Sequence, residues 1–292
     1  CANICAMQDQ LVDIRSDTLN IDEKLIESAI TPKTKAIFVV HYAGVICEMD
    51  EVLQIARTHK LAVVEDAAQA LTSTYKGRQA GSMGDLGCFS FHETKNTISG
   101  EGGALTVNNP DLFERSEVIR EKGTNRKAFF KGHVDKYTWV DIGSSYLPGE
   151  LIAAFLYGQL LEISRLQEER LEAWSMYDQE ISRRSNEYNI ITPKIPNGVV
   201  HNAHLYYILV DKPEIQAAVI ADMKSQRITT PFHYIPLHDS PAGKIYTRTS
   251  GNLIVTNTVS KKLIRLPMYP AVKNSQARII YSLFESLRKY CR

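Results

Sequence analysis

The chain of 292 residues lacks any apolar run close to the roughly 18 residues that a membrane span needs. Its opening residues, CANICAMQDQ, carry no secretory-signal pattern. Cysteine is scarce and scattered. There are 5 of them and no CxxC pair, which excludes a zinc ribbon. Their pattern fits a reducing compartment, and a cytoplasmic location is expected. Within the apolar run GCFSF, Cys88 reads as a small buried hydrophobe. An excess of one charge is missing too. Lys+Arg 34 against Asp+Glu 33 gives no basis for nucleic acid or an anionic membrane as partner. No GxxxxGK[ST] loop is present, which excludes a P-loop enzyme. The glycines of GSMGDLG (81–87) and SGEGG (99–103) do not follow a strand and open a helix, so a dinucleotide fingerprint is excluded as well.

What is present is a chain with 44% hydrophobic residues, enough for a sizeable core. NIDEKLIESAI has Asp22 placed as an N-cap, with Leu25, Ile26, Ala29 and Ile30 on one helical face. AIFVVHYA (36–43) reads as a strand buried on both faces. MDEVLQIARTHK (49–60) returns to helical spacing with Val52, Leu53 and Ile55 inward, and LAVVEDAA (61–68) is a second buried strand. Strand, helix, strand at this spacing gives parallel βαβ units. In such sheets ligands bind outside the carboxyl ends of the strands. That rule singles out His41, Tyr42, Glu65, Asp66 and Gln69.

GCFSFH (87–92) and GGALTVN (102–108) read as further strands with a turn around Lys95 between them, and a helix from about Asp111 to Glu121 follows. The apolar marks Leu160, Leu161, Ile163, Leu166, Leu171 and Trp174 predict one long helix over 150–184. Beyond it, HLYYILV (204–210) predicts a strand, and EIQAAVIADMKSQ (214–226), NTVSKKLIRL (257–266) and SQARIIYSLFESLRKY (275–290) predict helices. The expected organisation is an α/β large domain over 1–160, with a mostly parallel sheet. A linking helix and a smaller α+β domain follow over 161–292.

Three polar groups fall at strand ends: Asp66, Gln69 and Lys95. Each has a plain alternative, Asp66 as a helix N-cap and Lys95 as a solvated turn residue. Taken together, a carboxylate and a lysine at one sheet edge suit pyridoxal 5′-phosphate. A desolvated amine forms a Schiff base with the cofactor's aldehyde, and a carboxylate keeps its pyridine nitrogen protonated.

The segments VVEDAAQA (63–70), FSFHETKN (89–96) followed by GEGGA, REKGTNR (120–126) and FHYIPLH (232–238) resemble the sugar aminotransferases of the DegT/DnrJ/EryC1/StrS family. HYAGVICEMD (41–50) and VDKYTWVDIGSSYL (134–147) draw the resemblance toward members that make dTDP-4-amino-4,6-dideoxygalactose for enterobacterial common antigen. The resemblance runs from about Val12 to the C-terminus. It implies the aspartate aminotransferase-like fold (type I), a homodimer, and transfer of an amino group from glutamate to dTDP-4-dehydro-6-deoxy-D-glucose. By the same resemblance Lys95 is the Schiff-base lysine and Asp66 the partner of the ring nitrogen. Gln69 approaches the ring's 3-hydroxyl and Ser90 binds the phosphate. Ser145 stands where relatives place an asparagine that reaches the other subunit's phosphate. His233 and His238 lie in the segment near the nucleotide-sugar site, with a structural histidine as the other reading of each.

The family has an upstream helix and a Gly/Ser/Thr-rich phosphate cradle that the sequence does not show, so a truncated chain with weakened cofactor affinity is expected. A non-catalytic remnant that keeps the fold and dimer interface is accordingly the competing reading. A sugar dehydratase on the same fold would carry histidine in place of Lys95.

Overall fold

A computed structural model describes residues 9–291. Cys1 and Cys5 lie outside them. The large layer contains β1 (Asp9–Leu11), α1 (Glu23–Ala29), β2 (Ala36–Val40), α2 (Met49–His59), β3 (Ala62–Asp66), β4 (Thr74–Tyr75), β5 (Arg78–Gln79), β6 (Leu86–Ser90) and β7 (Gly103–Val107). Its main sheet runs β2-β3-β6-β7, parallel except that β7 is antiparallel to β6. Asp22 caps α1, its side chain accepting from the Lys24 amide. Left-handed Lys60 ends α2, its amide returning to Ala56 and Arg57. The chain can then enter β3 beside β2. Apolar side chains from α1, α2 and the strands, among them Ile26, Val39, Met49, Val52 and Val63, fill one core.

Three expectations need correction here. Strand β2 is buried on one face only, because Phe38 and Val40 point outward and are exposed. Leu25 of α1 is also exposed, while the acid Glu23 beside it is buried and paired with Arg15. Cys88 is half-buried, not enclosed.

The chain continues through α3 (Phe113–Arg120), α4 (Arg126–Phe130), α5 (Glu150–Leu161), α6 (Ile163–Ser182) and α7 (Ser185–Tyr188). The single long helix expected over 150–184 is two. The Glu162 amide bonds back to Gln159 and Leu160, a tight turn with φ −97° and ψ 6° that closes α5 before α6 begins. After it come β8 (Val199–Val200), β9 (Tyr206–Leu209), α8 (Pro213–Ser225), α9 (Pro241–Tyr246), β10 (Thr247–Thr249), α10 (Ile254–Ser260), β11 (Leu263–Leu266) and α11 (Lys273–Tyr290). The stretch NTVSKKLIRL is therefore not one helix. Its first part completes α10, and LIRL pairs antiparallel with β9. β-branched and apolar residues in a four-residue run suit that pairing better than a second helical turn.

A second core joins α6, β9, α8, β11 and α11. Trp174, Tyr177 and Ile181 share one face of α6, and Ile280, Leu283, Phe284 and Leu287 one stripe of α11. Burial of each large aliphatic side chain contributes about 1.5–3 kcal/mol. The two layers are interleaved in sequence, since β8 pairs with β4 and β1 with β10.

Beneath the sheet edge lies a buried carboxylate. Glu65 Oε1 accepts from the Met83 and Gly84 amides at 2.7 Å each, and Oε2 from the Gly81 amide at 2.8 Å and His41 Nε2 at 2.9 Å. The Cys47 amide donates to His41 Nδ1, so the ring proton sits on Nε2. Burial alone would raise the Glu65 pKa. The bonds from His41, Gly84 and Gly81 outweigh it and hold the carboxyl below its ordinary 4.5. A lowered folded-state pKa means stabilisation that is complete above about pH 4.5 and lost as pH falls toward the folded value. Glu65→Gln points an NH2 at donors, so it should lose at least about 2 kcal/mol near neutral pH. Its denaturation midpoint should also decline less than that of wild type between about pH 5 and 3. Equal decline in both proteins would show that Glu65 is not the acid-sensitive group.

Candidate active site

Because β3 and β6 run parallel, both deliver their carboxyl ends to one edge. Asp66 closes β3 opposite Cys88, and Ser90 closes β6 two residues further on. The chain then turns through Lys95 and returns, with His92 bridging Gly100 and the Ser99 amide donating to Phe91 at 2.7 Å. Gly102, at φ +148°, meets the turn so closely that a Cβ there would stand 2.8 Å from Ser99 Oγ. Lys95 is half-buried in this turn. Burial lowers its pKa from the ordinary 10.5, and the Asp66 charge opposes part of that shift. Among the described residues its ammonium closes no salt bridge.

Asp66 Oδ1 accepts from the Ala68 amide at 3.0 Å, which leaves Oδ2 available. The group caps a turn rather than a helix. Gln69 Oε1 accepts from the Ala43 amide at 2.7 Å, so its NH2 remains as a donor. Ser90 Oγ accepts from the His92 amide at 3.3 Å. Asp66, Gln69, Ser90 and Lys95 thus share one edge.

Two of the remaining predicted residues make their contacts elsewhere. Ser145 is exposed and bridges Glu121 in a surface segment. His238 bonds Asn257 at 2.9 Å, at the start of the α9 region. His233 does approach the edge, its Nδ1 lying 3.3 Å from the hydroxyl of Tyr42 and its ring edge-on to that of Tyr42. Burial, with the nearby Arg265 charge, lowers the His233 pKa to about 4.

Sequence reasoning missed the scaffold behind these groups. Asn202 Nδ2 donates to the carbonyls of Gln69 and Leu71 at 2.8 Å each. Its own carbonyl accepts from Asn96 Nδ2 at 2.8 Å, and Asn96 Oδ1 meets His204 Nδ1 at 2.9 Å. Asn202 Oδ1 is buried with no partner. It fills the space a Cβ on Gly44 would need, which explains a glycine there at φ +84°. Asn96 is adjacent to Lys95, but Asn202 and His204 lie over a hundred residues away, and no local spacing marks them.

A lysine amine with lowered pKa, a carboxylate oxygen, an amide donor and a hydroxyl at one edge fit an aldehyde-bearing pyridinium ring. With such a ring bound, the Lys95 amine would meet the aldehyde, Asp66 Oδ2 the ring N–H, and the Gln69 NH2 the ring's phenolic oxygen.

Comparison with known proteins points to one family and to its cofactor. The family model described as the DegT/DnrJ/EryC1/StrS aminotransferase family matches residues 1–284. The chain is 33% identical over 273 residues to the spore coat polysaccharide biosynthesis protein SpsC of Bacillus subtilis, covering 90% of this chain and 69% of that protein. It is 32% identical over 241 residues to GDP-perosamine synthase of Caulobacter vibrioides, covering 81% and 62%. Among solved structures, S. venezuelae DesV in complex with a ketimine intermediate superposes with a TM-score of 0.83 at 28% identity, over 94% of this chain and 71% of that one. A Streptococcus pneumoniae protein solved in its PLP form gives 0.85 at 25%, over 99% and 77%. With its fold of type I and the family match along nearly its whole length, the chain belongs to the DegT/DnrJ/EryC1/StrS aminotransferases, which are PLP-dependent sugar-modifying enzymes.

Proposed function

We propose that the protein transfers an amino group from glutamate to the 4-keto carbon of dTDP-4-dehydro-6-deoxy-D-glucose, giving dTDP-4-amino-4,6-dideoxy-D-galactose for a surface polysaccharide such as enterobacterial common antigen. The observation that carries this is the Lys95 amine, half-buried and lowered in pKa, sharing a sheet edge with Asp66. When bound, PLP supplies an aldehyde and a protonated ring that draws electrons from the reacting carbon. Lys95 Nζ removes the α-proton of glutamate in the first half-reaction and delivers a proton to C4 of the sugar in the second. Asp66 keeps the ring nitrogen protonated, and the Gln69 NH2 and Ser90 hydroxyl hold the ring's phenolic oxygen and the phosphate.

In the same reading, residues 1–160 form the cofactor-binding domain and 161–292 the linking helix and small domain. The protein acts in the cytoplasm as a homodimer. One observation supports a second copy: the large apolar side chains of Trp139, Leu151 and Leu161 are exposed in the same stretch of chain as the exposed Ser145. His233 faces the sugar nucleotide, with His238 further along the same segment.

Turnover of dTDP-4-dehydro-6-deoxy-D-glucose with glutamate and PLP, followed by release of 2-oxoglutarate and the amino sugar, tests the reaction. Lys95→Ala should lower it by about 10²–10⁴-fold or more while leaving the circular dichroism unchanged. An unchanged rate in that variant would remove Lys95 from the mechanism, and no turnover in wild type would leave the non-catalytic reading.

The charge relation has its own test. With burial as the main cause of the shift, Lys95 should react with an acylating reagent with a pH midpoint below 10.5. Because the Asp66 carboxylate raises the Lys95 pKa, Asp66→Asn should move that midpoint lower still. Site-resolved mass spectrometry reads both values. A midpoint raised by Asp66→Asn would contradict the arrangement.

A further inference from the structure

The turn that carries Lys95 is closed from two directions. Its first half closes on itself: the Lys95 amide donates to the His92 carbonyl at 2.9 Å, and the Glu93 amide to that of Gly100 at 3.0 Å. Its second half is tied to the segment that enters β9. Asn96, the next residue, sends its NH2 to the Asn202 carbonyl at 2.8 Å, and its Oδ1 lies 2.9 Å from His204 Nδ1. Thr97 and Ser99 beyond it are buried, which sets the path of the chain out of the turn.

Chemistry fixes which group donates in this chain of bonds. A backbone carbonyl only accepts, so the Asn96 NH2 faces Asn202 and its Oδ1 faces the ring. That amide oxygen also only accepts, so His204 carries its proton on Nδ1 and leaves Nε2 bare. The ring stays neutral, because burial lowers its pKa well below 6.5 and the Arg170 and Lys95 charges add to that effect. His204 is itself held, since Arg170 donates to its carbonyl at 2.8 Å and to that of Ala203 at 3.2 Å. The Asn202 side chain meanwhile donates to the carbonyls of Gln69 and Leu71. One short segment, 202–204, therefore fixes both Gln69 and the residue after Lys95.

We propose that Asn96 and His204 are positioning residues for Lys95: the bond between them keeps the turn closed against the segment that enters β9, and so keeps the amine half-buried at the edge it shares with Asp66 and Gln69. This deepens the aminotransferase reading and rests on it. Removing either side chain leaves the other enclosed without its partner, which favours a turn that opens to water. Burial is the main cause of the lowered Lys95 pKa, so an opened turn should give back part of that shift. A reactive group displaced by about 1 Å can also lose a factor of about 100 in rate.

The test is the pH midpoint of Lys95 acylation in the full chain freed of cofactor, read for wild type, Asn96→Ala, His204→Ala and His204→Gln. Both alanine variants should move the midpoint up toward 10.5. His204→Gln supplies an NH2 that can donate to Asn96 Oδ1, and should keep the midpoint near that of wild type. Cys47, buried in the large-layer core, reports folding in the same samples by staying closed to a thiol reagent. With cofactor restored, the alanine variants should lose about tenfold to a hundredfold in kcat with little change in the KM for glutamate. An unchanged midpoint in both alanine variants overturns the proposal. So does a rise that His204→Gln shares, which would place the effect on the ring and not on the bond. If one alanine variant exposes Cys47, the other decides; exposure in both shows a pair that serves the fold, and overturns the proposal too. The midpoint needs no turnover. A shift in a protein that fails to transaminate would therefore sink the aminotransferase reading and leave the positioning standing, and turnover without a shift would do the reverse.

Discussion

The carboxyl edge of the sheet depends on the four donors gathered by Glu65. Three of them are backbone amides of one loop, residues 81 to 84, and the fourth is a histidine from the end of β2. A loop rich in glycine has little side-chain packing to fix it, so the carboxylate supplies the order that its sequence does not. The same alternation that sends Glu65 into the interior turns Asp66, the next residue, to the opposite face. One pair of adjacent acids thus does two different jobs. The inner one is saturated with hydrogen bonds. The outer keeps an oxygen free.

A second constraint joins the two layers. Asn202, in the segment that enters β9, donates to Gln69 and Leu71 and accepts from Asn96, and so touches the chain on both sides of the site. Gln69 in turn fixes the Ala43 amide, and Gly44 leaves room for the Asn202 side chain. Lys95 sits next to Asn96, so the position of its amine is set partly by the small layer. Buried amide networks of this kind are effective because each unsatisfied member would be costly in a medium of low dielectric.

Much of this was legible in the sequence, for reasons that particular residues make plain. The edge strands and Asp66, Gln69 and Lys95 announced themselves because burial, β-branching and a polar break coincide within a few residues. The N-cap at Asp22 was equally local. What escaped was either set by tertiary context or spread along the chain. The outward faces of Phe38 and Val40 look identical in composition to the inward ones of Ile37 and Val39. The stretch LIRL follows helical residues without a glycine or proline, and only pairing with β9 makes it a strand. Glu162 is an ordinary helix former, and nothing in its neighbours signals the turn that divides α5 from α6. Asn202 and His204 reach the site by folding alone, and each would pass for a routine polar residue in its own segment.

The electrostatics of the edge follow from how these pieces balance. Burial pushes Lys95 toward the neutral amine that attacks a carbonyl, and a carboxylate placed in direct contact would cancel that push. Here Asp66 is near enough to act on Lys95 and too far to close a salt bridge, so the amine keeps a lowered pKa while the region retains one negative charge. His204 and His233 add no positive charge, because burial holds both neutral. The Arg265 charge, carried on β11 of the small layer, adds to that effect on both rings.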